Sequence, residues 1–94
     1  MTPEKICAVI EMYERELVDH LIPKRRISPS RSFAWASQTD LLAHAHFLCA
    51  DAKVYAKNPE KYGKANRHLT AIQMCLSFAT WYTLEELMEH NSSK

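Results

Sequence analysis

Glycine is almost missing from this chain: Gly63 stands alone in 94 residues, against four prolines. A sheet protein of this size needs more turn formers, so the scarcity favours helices. It also removes the glycine-rich loop that cradles phosphates in nucleotide-hydrolysing proteins. Long apolar runs are missing as well. The longest stretch free of Asp, Glu, Lys, Arg and His is residues 69–84, sixteen positions that include Thr, Gln and Ser. A spanning helix needs about 20 mainly apolar residues, so no membrane helix is expected. The opening residues, MTPEKICAVIEMYERE, mix acids with apolar side chains and are not expected to act as a signal peptide. The cysteines Cys7, Cys49 and Cys75 are odd in number and far apart. That fits a reducing cytosol and small packed side chains, not a disulfide framework. Without a Cys-x-x-Cys pair, neither zinc nor thiol redox chemistry is indicated.

Spacings that carry catalysis are also absent. His44 and His46 are two apart on a helix and point to different sides, a poor basis for sharing a metal. Neither His-x-x-x-His nor Glu-x-x-His occurs. Glu85, Glu86, Glu89 and His90 cluster, and a solvated acidic face explains them more simply than a metal does. No acid pair sits where burial would plainly raise a pKa, and each cysteine lies among apolar residues rather than beside a base. An enzyme, a cofactor and a metal are therefore not expected.

What is present describes a folded, all-helical, single domain over residues 1–94, at 47% hydrophobic and 24% charged. Thr2-Pro3 reads as a helix start, and Ile6, Val9, Ile10, Tyr13, Leu17 and Leu21 recur at helical steps. The first helix is expected over residues 3–21, ended by Pro23. Ser37-Gln-Thr-Asp40 has capping-box form and opens a second helix over 38–57. Asn58-Pro59 leads to a third over 60–90, with Gly63 near its start. That helix carries apolar residues on several sides: Leu69, Ile72, Leu76, Ala79 and Thr83 on one, Met74, Phe78, Trp81 and Met88 on another. Two partner helices cannot cover it all round, so homo-oligomerisation is expected.

Residues 22–36 form a basic loop. Its core, IPKRRISPSRSF, holds Lys24, Arg25, Arg26 and Arg31, four of the twelve basic residues, and no acid. The whole chain is +1, so the remaining eight basic and eleven acidic residues sum to −3. Guanidinium forks pair with two phosphate oxygens at once, and Ser28, Ser30 and Ser32 add neutral donors. Pro23 and Pro29 stiffen the loop, which lowers the ordering cost of binding. A plain solvated loop that aids solubility is the competing reading. Tyr13 either packs in the core or, beside the loop, stacks on a nucleobase, a contact worth about 1–3 kcal/mol per base. Arg67 and Thr70 are three apart on one face, extended by Gln73 and Ser77. They form either a solvent face or a polar seam where copies of Arg67 gather around an anion.

Together, the helical pattern, the aromatic on the first helix, the basic serine-containing loop and NRHLTAIQ near the end resemble the phage anti-CBASS cyclic-oligonucleotide sponges over nearly the whole length. CBASS is a bacterial defence in which an infection sensor makes cyclic di- or trinucleotides that trigger a toxic effector. The resemblance implies a short N-terminal helix and two longer antiparallel helices, assembled as a homohexamer in the cytoplasm of the infected host. It implies sequestration of cyclic dinucleotides such as cyclic GMP–AMP, and of cyclic trinucleotides at a second site, without cleavage. Carried onto this chain, Tyr13 stacks on a base, Arg26 or Lys24 holds phosphate, Ser28 supplies a hydroxyl, and Arg67 and Thr70 line the trinucleotide site. The family's loop base is usually a lysine; here Lys24, Arg25 and Arg26 stand side by side. The alternatives are a small nucleic-acid-binding or protein-inhibiting helical phage protein. The first is disfavoured by a pI near 7.8, since such domains are often above about 9.

Overall fold

The computed structural model describes residues 1–92, which form four α-helices and no strand. Helix α1 runs Pro3–Asp19, α2 Gln38–Ala56, α3 Tyr62–Phe78 and α4 Leu84–His90, with 3₁₀ turns at Phe33–Trp35 and Pro59–Lys61. The two starts marked in the sequence hold. The Thr2 hydroxyl accepts from the Lys5 N–H with Pro3 in the first turn, and Ser37 and Asp40 exchange both capping-box bonds. Gly63 is the second residue of α3.

Helix α2 is the centre of the molecule. Leu41, Leu42, Ala45, Cys49, Ala52 and Ala56 are buried along it, and it packs against both α1 and α3. Small residues dominate its buried face: Ala43, Ala45, Cys49, Ala52 and Ala56. A short 3₁₀ connection makes α2 and α3 antiparallel neighbours. Ile6, Ile10, Tyr13 and Leu17 of α1 fill the space opposite Ile72, Cys75 and Leu76 of α3 in one core.

Two sequence expectations are corrected. The first helix is not short: α1 has 17 residues, as many as α3. The third helix does not continue to residue 90. It stops at Phe78, where the Trp81 N–H donates to the Leu76 carbonyl at 2.9 Å and the Thr80 N–H to the Ser77 carbonyl at 2.9 Å. This is a Schellman closure, and it puts Thr80 in the left-handed region at φ 67°. Thr83 then caps α4 through a capping box with Glu86. The apolar pattern ran through the turn because Ala79 is buried and Trp81 and Tyr82 pack against the core. Helix α1 ends by the same device. The Ile22 N–H reaches the Leu17 carbonyl at 2.9 Å, leaving Leu21 at φ 58°.

Candidate functional site

The basic loop lies against α2 and is tied to it at three points. His46 Nδ1 donates to the Ile22 carbonyl at 2.8 Å. The Arg25 N–H donates to the Ala43 carbonyl at 3.1 Å, and the Ile27 N–H to His44 Nδ1 at 3.0 Å. The two histidines therefore have a structural task that spacing alone did not reveal. Beyond Ile27 the chain turns at Ser28-Pro29-Ser30-Arg31, closed by the Arg31 N–H to the Ser28 carbonyl at 3.0 Å. The Ser28 and Ser30 hydroxyls lie 2.9 Å apart in that turn. Phe33 meets the His44 ring edge-on at 5.1 Å and anchors the far end.

Between this loop and the start of α2 lies an open cleft of about 220 Å³. Arg25, Arg26, Ser28, Arg31, Trp35 and Asp40 line it. Arg25 is partly neutralised by Asp40, Nη2 to Oδ1 at 3.3 Å. Asp40 is held below the ordinary carboxylate range, first by the Ser37 backbone N–H, then by the Ser37 hydroxyl and Arg25. Among the described residues neither Arg26 nor Arg31 pairs with a carboxylate. The Arg31 guanidinium sits 4.4 Å over the Trp35 ring, which is 52% exposed. The cleft thus offers unneutralised forks, a hydroxyl and an aromatic plane in one place. Charge density in the sequence pointed to the arginines and to Ser28. Trp35 and Asp40 were missed as site residues, because only the folded loop brings them to the same cleft.

The other expected site residues are placed elsewhere. Lys24 lines a separate cleft on the α1 side of the loop, with Glu11, Glu14, Arg15, Asp19 and His46. Arg26 and Ser28 come together; Lys24 does not join them. Tyr13 is fully buried, at 0% exposure. Its hydroxyl accepts from Gln73 Nε2 at 3.0 Å and donates to His90 Nδ1 at 2.7 Å. Tyr82 and His90 lie against its ring, with centroids at 5.8 and 5.5 Å. Burial raises the phenol to about 12 despite the Gln73 hydrogen bond. With both faces covered, the ring has none free for a base in this conformation. Gln73 departs from the expected polar stripe too: it is buried and exchanges hydrogen bonds with Asn91 at 2.8 and 3.2 Å.

Arg67 and Thr70 are exposed on α3, and the Thr70 hydroxyl donates back to the Asn66 carbonyl at 3.1 Å. Met74 and Phe78 follow on the same face, Phe78 at 71% exposure. Cys49 and Cys75 are core residues, and burial pushes their thiols up to about 12 and about 11. Glu85, Glu86 and Glu89 are exposed, with Glu86 capping α4, and only His90 of that cluster turns inward, to Tyr13. No helix among the described residues is long and apolar enough to cross a membrane. No family model matches this chain, and no curated protein or solved structure shows significant similarity to it.

Proposed function

We propose that this protein captures cyclic dinucleotides such as cyclic GMP–AMP in the arginine cleft and holds them uncleaved, silencing bacterial cyclic-nucleotide signalling against phage. The observation that carries this reading is the convergence of Arg25, Arg26, Arg31, Ser28 and Trp35 on one cleft, with two of the arginines lacking a carboxylate partner. Arginine forks and a serine hydroxyl suit phosphate oxygens, and Trp35 supplies the base platform first expected of Tyr13. Sequestration asks for no nucleophile, base or metal, so the protein is read as a binder and not as an enzyme. The cytoplasm of the infected host, where such ligands are made, is its proposed location.

The cleft volume of about 220 Å³ falls below the roughly 300–1,000 Å³ of pockets for drug-sized ligands. A second copy of the chain completes it in this reading. Exposed Phe33, Phe78, Leu84 and Met88 give such copies apolar surface to bury, and a homohexamer is the proposed assembly. Arg67 and Thr70, beside Met74 and Phe78, are the proposed cyclic-trinucleotide site where copies meet. The same apolar residues favour one other reading, an inhibitor that docks on a host protein.

Native mass spectrometry with a panel of cyclic di- and trinucleotides separates these readings. A hexamer that gains nucleotide, recovered intact after heat denaturation, is the expected result. Replacing Arg26 and Arg31 together by Ala should weaken cyclic GMP–AMP binding by at least about tenfold, because each lost charged hydrogen bond is worth about 1.5–3 kcal/mol. Trp35→Ala should cost about 1–3 kcal/mol of binding by calorimetry. A monomer that ignores the whole panel would overturn the proposal in favour of the inhibitor.

A further inference from the structure

His44 and His46 are two residues apart on α2, yet each bonds the basic loop, and they do so with opposite proton placement. The Ile27 N–H is a donor, so the Nδ1 of His44 that receives it carries no proton. The Ile22 carbonyl is an acceptor, so the Nδ1 of His46 that meets it carries one. The two bonds therefore ask opposite things of the ring nitrogen. The His46 bond needs its Nδ1 only as a donor. His44 must take its proton on the very atom that accepts from Ile27, turning an acceptor toward a donor.

We propose that His44 is an acid-released latch on the arginine loop and His46 its fixed tether, so that protonation of His44 frees Ile27 while Ile22 stays bound to α2. The functional consequence rests on the cleft being the ligand site. Arg26 and Ser28 flank Ile27 in sequence, and both line that cleft with Arg31 and Trp35. Release of Ile27 disperses them and weakens ligand capture in acid. Arg25 stays behind, because its N–H is held by the Ala43 carbonyl, which does not titrate.

The surroundings of His44 support the direction. Arg26 from the loop is the charged group that bears on its ring. Phe33 from the 3₁₀ turn and Phe47 from α2 are its ring neighbours at 5.1 and 6.0 Å. Asp40, one helical turn earlier, is engaged by Ser37 and Arg25. Burial first, and Arg26 next, push His44 below its ordinary 6.5. A lowered value means the latch is complete above 6.5 and is lost as the pH falls through the lower folded value. Around His46, α1 contributes Glu11, Glu14, Arg15 and Asp19, and the loop contributes Lys24.

The test reads amide hydrogen exchange by NMR on the unliganded protein between about pH 7.5 and about pH 5, corrected for intrinsic rates. Protection of the Ile27 amide should fall by about tenfold or more along the His44 ring titration, with the Arg25 amide unchanged. His44→Asn, whose carboxamide oxygen accepts without titrating, should keep Ile27 protected at both ends. His44→Phe should leave Ile27 unprotected at both. Ile27 protection that ignores His44 protonation overturns the latch, as does a pH step that survives in His44→Asn. Cyclic GMP–AMP titrations at the two pH values complete the experiment, with affinity expected to fall about tenfold in acid alongside Ile27 protection. Absence of binding at the higher pH overturns the ligand site alone, since the amide data judge the latch without ligand.

Discussion

At the scale of single residues, Tyr13 is the most instructive side chain. Its ring fills the core, and its hydroxyl joins α1 to Gln73 on α3 and to His90 on α4. Tyr13→Phe keeps the ring but leaves the Gln73 amide without one partner and His90 Nδ1 without its donor. Leaving the buried Gln73 amide one partner short costs about 1–3 kcal/mol, and the half-buried His90 adds little, so urea denaturation should show a loss in that range. Binding of cyclic GMP–AMP by the folded fraction should be unchanged if Trp35 is the platform. The sequence offered both a core and a ligand role for Tyr13, because an aromatic on the inward stripe of a helix looks the same in either case. What decided it lies 60 and 77 positions away, at Gln73 and His90. The loop was more legible. Four cations without an acid formed a local signal, and the structure gathers three of them, with Ser28, at one cleft. Trp35 and Asp40 were not legible as site residues, since their contribution depends on how the loop turns back on α2.

Among the elements, the starts of α1 and α2 were readable, whereas the end of α3 and the start of α4 were not. Thr2-Pro3 and Ser37…Asp40 are local chemistry, a side chain bonding an N–H three residues on. Thr83…Glu86 has the same form and marks the start of α4. The stop after Phe78 had no such flag, because the left-handed position that glycine usually fills holds Thr80. Leu21 fills the equivalent position after α1. Left-handed backbone costs a non-glycine residue about 1–2 kcal/mol, partly offset by the greater freedom glycine has when unfolded. Leu21→Gly should therefore stabilise the protein by about 0.5–1 kcal/mol in chemical denaturation. Thr80→Gly should gain less, because it gives up the hydroxyl that accepts from Gln38 Nε2 at 3.3 Å.

Over the whole molecule, the buried acids act in concert. Tyr13, Cys49 and Cys75 are raised to about 12, about 12 and about 11, and Tyr82 is raised by burial and by its hydrogen bond to Glu16. Each group loses its proton more readily in the unfolded chain. Their stabilisation is complete below the ordinary values of 9.0 for the thiols and 10.0 for the phenols, and is lost as pH rises toward the folded values. The urea midpoint should therefore fall steadily between about pH 8 and about pH 11, and a midpoint that holds steady would contradict this packing. At the acid end the sign reverses. Asp40 and His44 are lowered, so their contributions are present above the ordinary 3.8 and 6.5 and fade as the pH drops.

The break after Phe78 has a consequence for how the molecule closes. A helix running straight on would carry residues 84–91 away from the body. Doubling back instead brings His90 to Tyr13 and Asn91 to Gln73, so the last turn of helix caps the polar side of a core built mostly by the first three. A protease cut within residues 79–83 would strand two hydrogen-bonding groups in an apolar interior. Loosening of this small lid should accordingly register as weakened packing along α1, well away from the cut.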